Sequence, residues 1–115
     1  MSSVHIVDDD RSIRSGLAFQ VKAHGHVPAT AATVREGLEK LAANPTHLLL
    51  DLNLPDGTGT AVLRHIRAAD MPVLVAVVSG SGDPRLMAEV DALRPDAVFP
   101  KPPDLDALVD WIART

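Results

Sequence analysis

The sequence predicts an α/β fold, a three-layer sandwich in which one five-stranded parallel sheet lies between two layers of helices. Three observations predict it. Short runs rich in Val, Ile and Leu alternate five times with amphipathic helical stripes, joined by short connections. Two of those runs, "THLLLDL" (46–52) and "PVLVAVV" (72–78), lack polar alternation, as parallel strands covered on both faces do. Pro28 cannot donate to a sheet ladder, so the second strand belongs at an edge.

Each element has its own signal. "SVHIV" (3–7) reads as the first strand, and in "RSIRSGLAFQVKA" (11–23) Ile13, Leu17 and Val21 recur every four residues on one helix face. Gly25 punctuates, and "HVPATAA" (26–32) is a weaker strand. "TVREGLEKLAA" (33–43) carries Val34, Leu38 and Leu41 on one face, with Thr33 and Glu36 spaced as a capping box. After strand three comes the helix "TAVLRHIRAA" (60–69), stopped by "DMP". Strand four leads to "DPRLMAEVDALRP" (83–95), a helix with Leu86, Val90 and Leu93 inward and Pro84 at its first position. "DAVFP" (96–100) is strand five, and "PDLDALVDWIART" (103–115) closes with Leu105, Leu108, Val109 and Ile112 on one stripe. Trp111 sits about 100° off that stripe, which predicts partial packing at the domain edge, with a solvent-facing partner anchor as the alternative. Right-handed crossovers with strand two at an edge favour the order 2-1-3-4-5, a flavodoxin-like, doubly wound sheet. Residues 1–115 are expected to form one domain.

Composition excludes several function classes. The chain is 46% hydrophobic and 23% charged, ordinary for a globular protein. Its formal net charge is −4 with no basic run, which argues against nucleic-acid binding by this chain. There is no cysteine, hence no disulfide, thiolate metal site or Cys nucleophile. "MSSVHIVDDD" reaches acids too early for a signal peptide, and no apolar run is long enough to span a bilayer, so a cytoplasmic location is expected.

The chemistry-bearing residues stand where the strands run out. Strand one ends in Asp8, Asp9 and Asp10; strand three in Asp51 and then Asn53; strand four in Ser79, Gly80 and Ser81; strand five in Lys101, Pro102 and Pro103. In a parallel sheet these ends share one edge, where such folds build their sites. Two carboxylates about 4 Å apart repel by roughly 4 kcal/mol at an effective dielectric of 20. A hard divalent cation relieves that repulsion, and oxygen-only ligands favour Mg²⁺ over zinc or copper. A phosphoryl group near Asp51 would then meet a metal, a hydroxyl and an ammonium, the parts phosphoryl transfer requires. Asp51 becomes the candidate nucleophile for an aspartyl phosphate.

Over nearly its whole length the sequence resembles the receiver domain of bacterial response regulators. The motifs are "HIVDDDRSIR", "LLLDLNLPDGTG", "VVSGSGD" and "FPKP", with 42 residues from Asp9 to Asp51, 28 from Asp51 to Ser79 and 22 from Ser79 to Lys101. The resemblance implies that Asp51 accepts a phosphoryl group from a histidine kinase or phosphotransfer protein. It implies Mg²⁺ (or Mn²⁺) held by Asp8, Asp9, Asp51 and the backbone carbonyl of Asn53. Ser79 would bind a phosphate oxygen and move with it, and Lys101 would contact the phosphate, with a cis bond to Pro102. Asp10 would be a spare acid at the start of the first helix. An output domain or downstream protein would receive the signal, and many receivers dimerise through helix four, strand five and helix five. The sequence departs from the family at Val98, where Tyr or Phe is usual, and alternation turns Phe99 to the other side of the sheet.

Taken singly, the motifs have plainer readings. Asp8–Asp10 also suits a solvated helix N-terminus, and "SGSG" a turn. "DLNLPDG" fails as a calcium loop, because Pro55 and Val62 occupy ligand positions, and "SGSGDP" lacks the Lys-Ser/Thr of a P-loop. The histidines at 5, 24, 26, 47 and 65 form no acid-flanked cluster, although His24 and His26 could share a strand face. Two other functions share parts of this pattern. A haloacid-dehalogenase-type phosphohydrolase needs a second acid where Asn53 stands. A receiver-like docking or dimerisation module that works without phosphate is suggested by Val98.

Overall fold

The computed structural model describes residues 2–80 and 82–115. Seven strands and five helices follow in chain order: β1 (Ser3–Val7), α1 (Arg11–Ala23), β2 (Val27–Ala31), α2 (Val34–Lys40), β3 (His47–Leu50), β4 (Asn53–Leu54), β5 (Gly57–Thr58), α3 (Thr60–Ala68), β6 (Leu74–Ser79), α4 (Pro84–Ala92), β7 (Ala97–Pro100) and α5 (Leu105–Arg114). The main sheet has the order β2-β1-β3-β6-β7, all parallel, which is the flavodoxin-like order expected. Pro28 lies on the edge strand, opposite Val4.

The two apolar faces of the sheet fill two cores. On one side Val7, Leu48, Leu50, Val75 and Val77 pack against Val34 of α2, Leu63 and Ile66 of α3 and Val90 of α4. On the other, Val4, Ile6, Leu49, Ala76 and Val78 pack against Leu17 and Val21 of α1 and Leu108 and Ile112 of α5. Every residue of β3 is buried, as is β6 from Val75 onward, which explains why neither run shows polar alternation.

Helix starts follow local chemistry. Asp10 caps α1 by accepting from the N–H groups of Ser12 and Ile13. Thr33 accepts from Glu36 N–H, the forward half of the expected capping box, while the Glu36 carboxylate accepts from the Thr33 hydroxyl in place of its backbone N–H. Pro84 occupies the first turn of α4 behind an Asp83 cap.

Four details differ from the sequence reading. The helix expected over 33–43 ends its α portion at Lys40 and tightens to a 3₁₀ turn over Leu41–Ala43, closed by Asn44 at φ 54°. The fourth sheet strand starts at Leu74 and includes Ser79. A two-residue hairpin, β4 with β5, interrupts the connection after β3. His24 caps the end of α1, outside any strand, so it shares no strand face with His26. Among the described residues, no helix is long and apolar enough to cross a membrane.

Candidate functional site

The parallel ladder continues one residue past the strands and draws their ends together. Asp8 N–H donates to Ala31 O, Asp51 N–H to Val7 O at 2.8 Å, and Lys101 N–H to Ser79 O at 3.2 Å. Asp8 and Asp51 therefore emerge from neighbouring strands, and Lys101 emerges on the same edge from beyond β6. Lys101 Nζ lies 2.9 Å from Asp8 Oδ2 and 3.2 Å from Asp51 Oδ2. Asp8 Oδ1 accepts from Asp10 N–H at 2.8 Å, and Asp51 Oδ1 from Leu52 N–H at 2.8 Å. Asp8 and Asp51 are buried at 2% and 3% exposure, so neither charge is relieved by solvent.

The site is short of positive charge. One ammonium serves two buried carboxylates, and the exposed Asp9 brings a third, with one oxygen from each of the three within 4.8 Å of the others. Burial, then the Asp8 charge, raise the Asp51 carboxyl above its ordinary range, outweighing the opposing Lys101 and the Leu52 N–H. Burial pulls Lys101 down, but its bonds to Asp8 and Asp51 outweigh that and hold its ammonium above its usual range. An oxygen-only cluster with net negative charge fits a hard divalent cation such as Mg²⁺ or Mn²⁺.

The remaining expected residues are placed as follows. Ser79 is buried at the end of β6, opposite Pro100 in register and one residue from Lys101 across the ladder. Asn53 opens β4, and its N–H approaches Asp51 Oδ1 at a long 3.5 Å. The Lys101–Pro102 bond is cis. Asp10, expected as a spare acid, serves as the α1 cap. Ser81 lies outside the described residues. Val98 is 47% exposed on the edge strand, while Phe99 turns to the α1–α5 side and meets Trp111 edge-on at 6.4 Å. Trp111 also stacks edge-on against buried His47 at 5.4 Å, so it is half-packed at the domain edge.

Three residues near the site carry no signal of their place in the sequence. Arg14 Nη1 donates to the Asp8 carbonyl at 2.8 Å. Asp56 accepts from the N–H groups of Val34 and Arg35, which lower its carboxyl below the ordinary range. Gly59 lets α3 start against the backbone of Asp51: a Cβ there would overlap the Asp51 carbonyl oxygen and lie 3.2 Å from Leu52 Cα. "PDG" and the glycine at 59 were the available signals, and each reads in sequence only as a turn.

Comparison with known proteins agrees with this geometry. The family model of the response regulator receiver domain matches residues 4–113. Among relatives, the acid tolerance regulatory protein ActR of Rhizobium meliloti is 33% identical over 110 residues, covering 93% of this chain and 56% of that protein. The response regulator MprA of Mycobacterium ulcerans is 35% identical over 107 residues, covering 90% of this chain and 45% of that protein. This chain thus spans about half the length of both. A CheY-like response regulator receiver domain protein from Methanospirillum hungatei superposes with a TM-score of 0.92 at 26% identity, covering 99% of this chain and 92% of that one.

Proposed function

The chain belongs to the response regulator receiver domains of two-component signalling, and we propose that within that family it is a phosphoacceptor whose acceptor is Asp51. The observation that carries the reading is the shared ion pair: one lysine bridges Asp8 and Asp51, both buried, at the edge where the parallel strands end. A carboxylate that is buried and only half compensated is poised for a phosphoryl group and a cation.

The donor is the phosphohistidine of a histidine kinase or phosphotransfer protein. An Asp51 Oδ oxygen attacks phosphorus in line, an O–P bond forms and the N–P bond breaks. The electron pair returns to the donor imidazole, which takes a proton from solvent. Mg²⁺ or Mn²⁺, held by Asp8, Asp9, Asp51 and the Asn53 carbonyl, supplies charge neutralisation when bound. Lys101 already reaches Asp51 and needs only to exchange the carboxylate for a phosphate oxygen. Ser79, one ladder position from Lys101, gives the hydroxyl that follows the phosphate. The acyl phosphate is hydrolysed on the molecule that carries it, so the domain turns over no free substrate. Residues 1–115 act as one domain, and the signal passes to an output domain or a partner protein, including a second copy through the α4–β7–α5 face.

Val98 favours a second reading, a docking module indifferent to phosphate, because it stands half-exposed where the family usually carries an aromatic ring, and Phe99 packs on the other side of β7. Intact mass after incubation with Mg²⁺ and acetyl phosphate decides between them. One added phosphoryl group, absent without Mg²⁺ and absent in Asp51→Asn, is the expected result. Equal phosphorylation of Asp51→Asn would remove Asp51 from the role. Partner binding or oligomeric state unchanged by phosphorylation would favour the docking module.

A further inference from the structure

The hairpin after Asp51 is too small to hold itself. β4 and β5 have two residues each, paired Asn53 with Thr58 and Leu54 with Gly57, and so short a pair is marginal alone. Its tip is held from outside. Both oxygens of the Asp56 carboxylate are used: Val34 N–H donates to Oδ1 at 2.8 Å and Arg35 N–H to Oδ2 at 3.0 Å. These are the first two N–H groups of α2, which have no intrahelical acceptor, and the third, Glu36, is served by Thr33 at 3.0 Å. A carboxylate suits this helix end, and charge-assisted bonds are the stronger kind. At its other end the segment is tied by Gly59 N–H to Leu52 O at 2.8 Å.

We propose that Asp56 is a positioning residue: its carboxylate clamps the β4–β5 hairpin to the first turn of α2 and so fixes the Asn53 backbone beside Asp51. The inference rests on the cation reading above, in which the Asn53 carbonyl completes the ligand set. Asp56 touches no reacting group itself. It acts through Leu54 and Pro55, which link it to Asn53, in the way outer partners of a metal site orient the ligands.

Thr33 supplies the control. Asp56→Ala and Thr33→Ala each remove a cap from the same turn of α2, but only Asp56 reaches the hairpin. Mg²⁺ affinity is measured by calorimetric titration of the full chain, and amide exchange of residues 53–58 is followed without metal. The expected result is an Mg²⁺ dissociation constant raised about tenfold in Asp56→Ala and moved less than about twofold in Thr33→Ala. Faster exchange at Asn53 and Thr58 should accompany it in Asp56→Ala alone. Asp56→Asn keeps one acceptor oxygen and should fall between, and it serves if the alanine variant folds poorly. Equal losses in the Asp56 and Thr33 variants, or none in either, would show that Asp56 only stabilises α2. A wild-type chain that binds no Mg²⁺ overturns the cation reading and this inference with it; one that binds while Asp56→Ala matches it overturns the inference alone.

Discussion

Replacing the proposed acceptor by its amide should stabilise the metal-free domain. Asp51→Asn removes three electrostatic effects at once. With a Lys101 Nζ to Asp51 Oδ2 distance of 3.2 Å, the lost attraction is about 5 kcal/mol at an effective dielectric of 20. Repulsion from Asp8, with the oxygens within 4.8 Å, is relieved by about 3.5 kcal/mol or more on the same scale. The desolvation of a carboxylate held at 3% exposure is also relieved, and that is several kcal/mol per ion. The last effect decides the sign, in keeping with a carboxyl raised above its ordinary range chiefly by burial. The net gain should be about 1–3 kcal/mol at pH 7 in EDTA, or roughly 4 °C in Tm per kcal/mol for a chain of this size.

The pH dependence of that gain is a stricter test. A carboxyl whose folded pKa is raised keeps its proton longer in the folded state. Its destabilisation is absent below the unfolded value of 3.8, accumulates as pH rises from there toward the folded pKa, and is complete above it. The stability difference between Asp51→Asn and wild type should therefore shrink as pH falls from 7 toward 4, while acids away from the site cancel in the difference. Mg²⁺ should narrow the gap at pH 7 by stabilising the wild type more. A variant less stable than wild type in EDTA at pH 7, or a gap constant from pH 7 to 4, would refute the reasoning.

Three further outcomes follow from the packing. Gly59→Ala drives a Cβ into the Asp51 carbonyl, and backbone cannot yield cheaply. Even after the roughly 0.4–1 kcal/mol gained from a stiffer unfolded chain, the variant should lose about 2 kcal/mol and accept phosphate poorly; an unchanged Tm would contradict the contact. His5 and His47 are buried with pKa values lowered chiefly by burial. The unfolded chain thus takes up protons first, and their share of stability is present above pH 6.5 and lost as pH falls below it. His47→Gln should flatten the urea-midpoint profile between pH 7.5 and 5.5, and an unaltered slope would count against it. Val98→Lys, at a site 47% exposed, should change stability by less than about 0.5 kcal/mol. A larger loss in thermal melts would mean the side chain is buried against a neighbour.

The sheet was legible because its signals are long-range in consequence but local in spelling. Unbroken apolar runs mean a strand covered twice, and Pro28 means an edge; together with crossover handedness they leave few orders and favour 2-1-3-4-5. What stayed hidden has no period to detect. A two-residue strand such as Asn53–Leu54 cannot alternate, and it exists because the chain folds back on itself before α3. The early end of α2 was hidden for the opposite reason. "LAA" is good helical sequence, and only the left-handed turn at Asn44 shows that the chain must leave for β3.

The site divides along the same line. Asp8, Asp51, Ser79 and Lys101 were readable because a parallel sheet forces the carboxyl ends of its strands to one edge, whatever the packing beneath. Arg14, Asp56 and Gly59 were not, because each acts on a backbone atom that only the folded chain brings near, and a sequence does not spell such distances. Val98 belongs with the readable set, since strand alternation alone separates it from Phe99. The structure adds where the ring went. Phe99 packs with Trp111, itself against His47, on the α1–α5 side, while Val98 stands half-exposed on the other. The β7 ring, Phe99, is thus packed against the core on the side opposite α4, and an inward swing of a ring at residue 98 is unavailable to this chain.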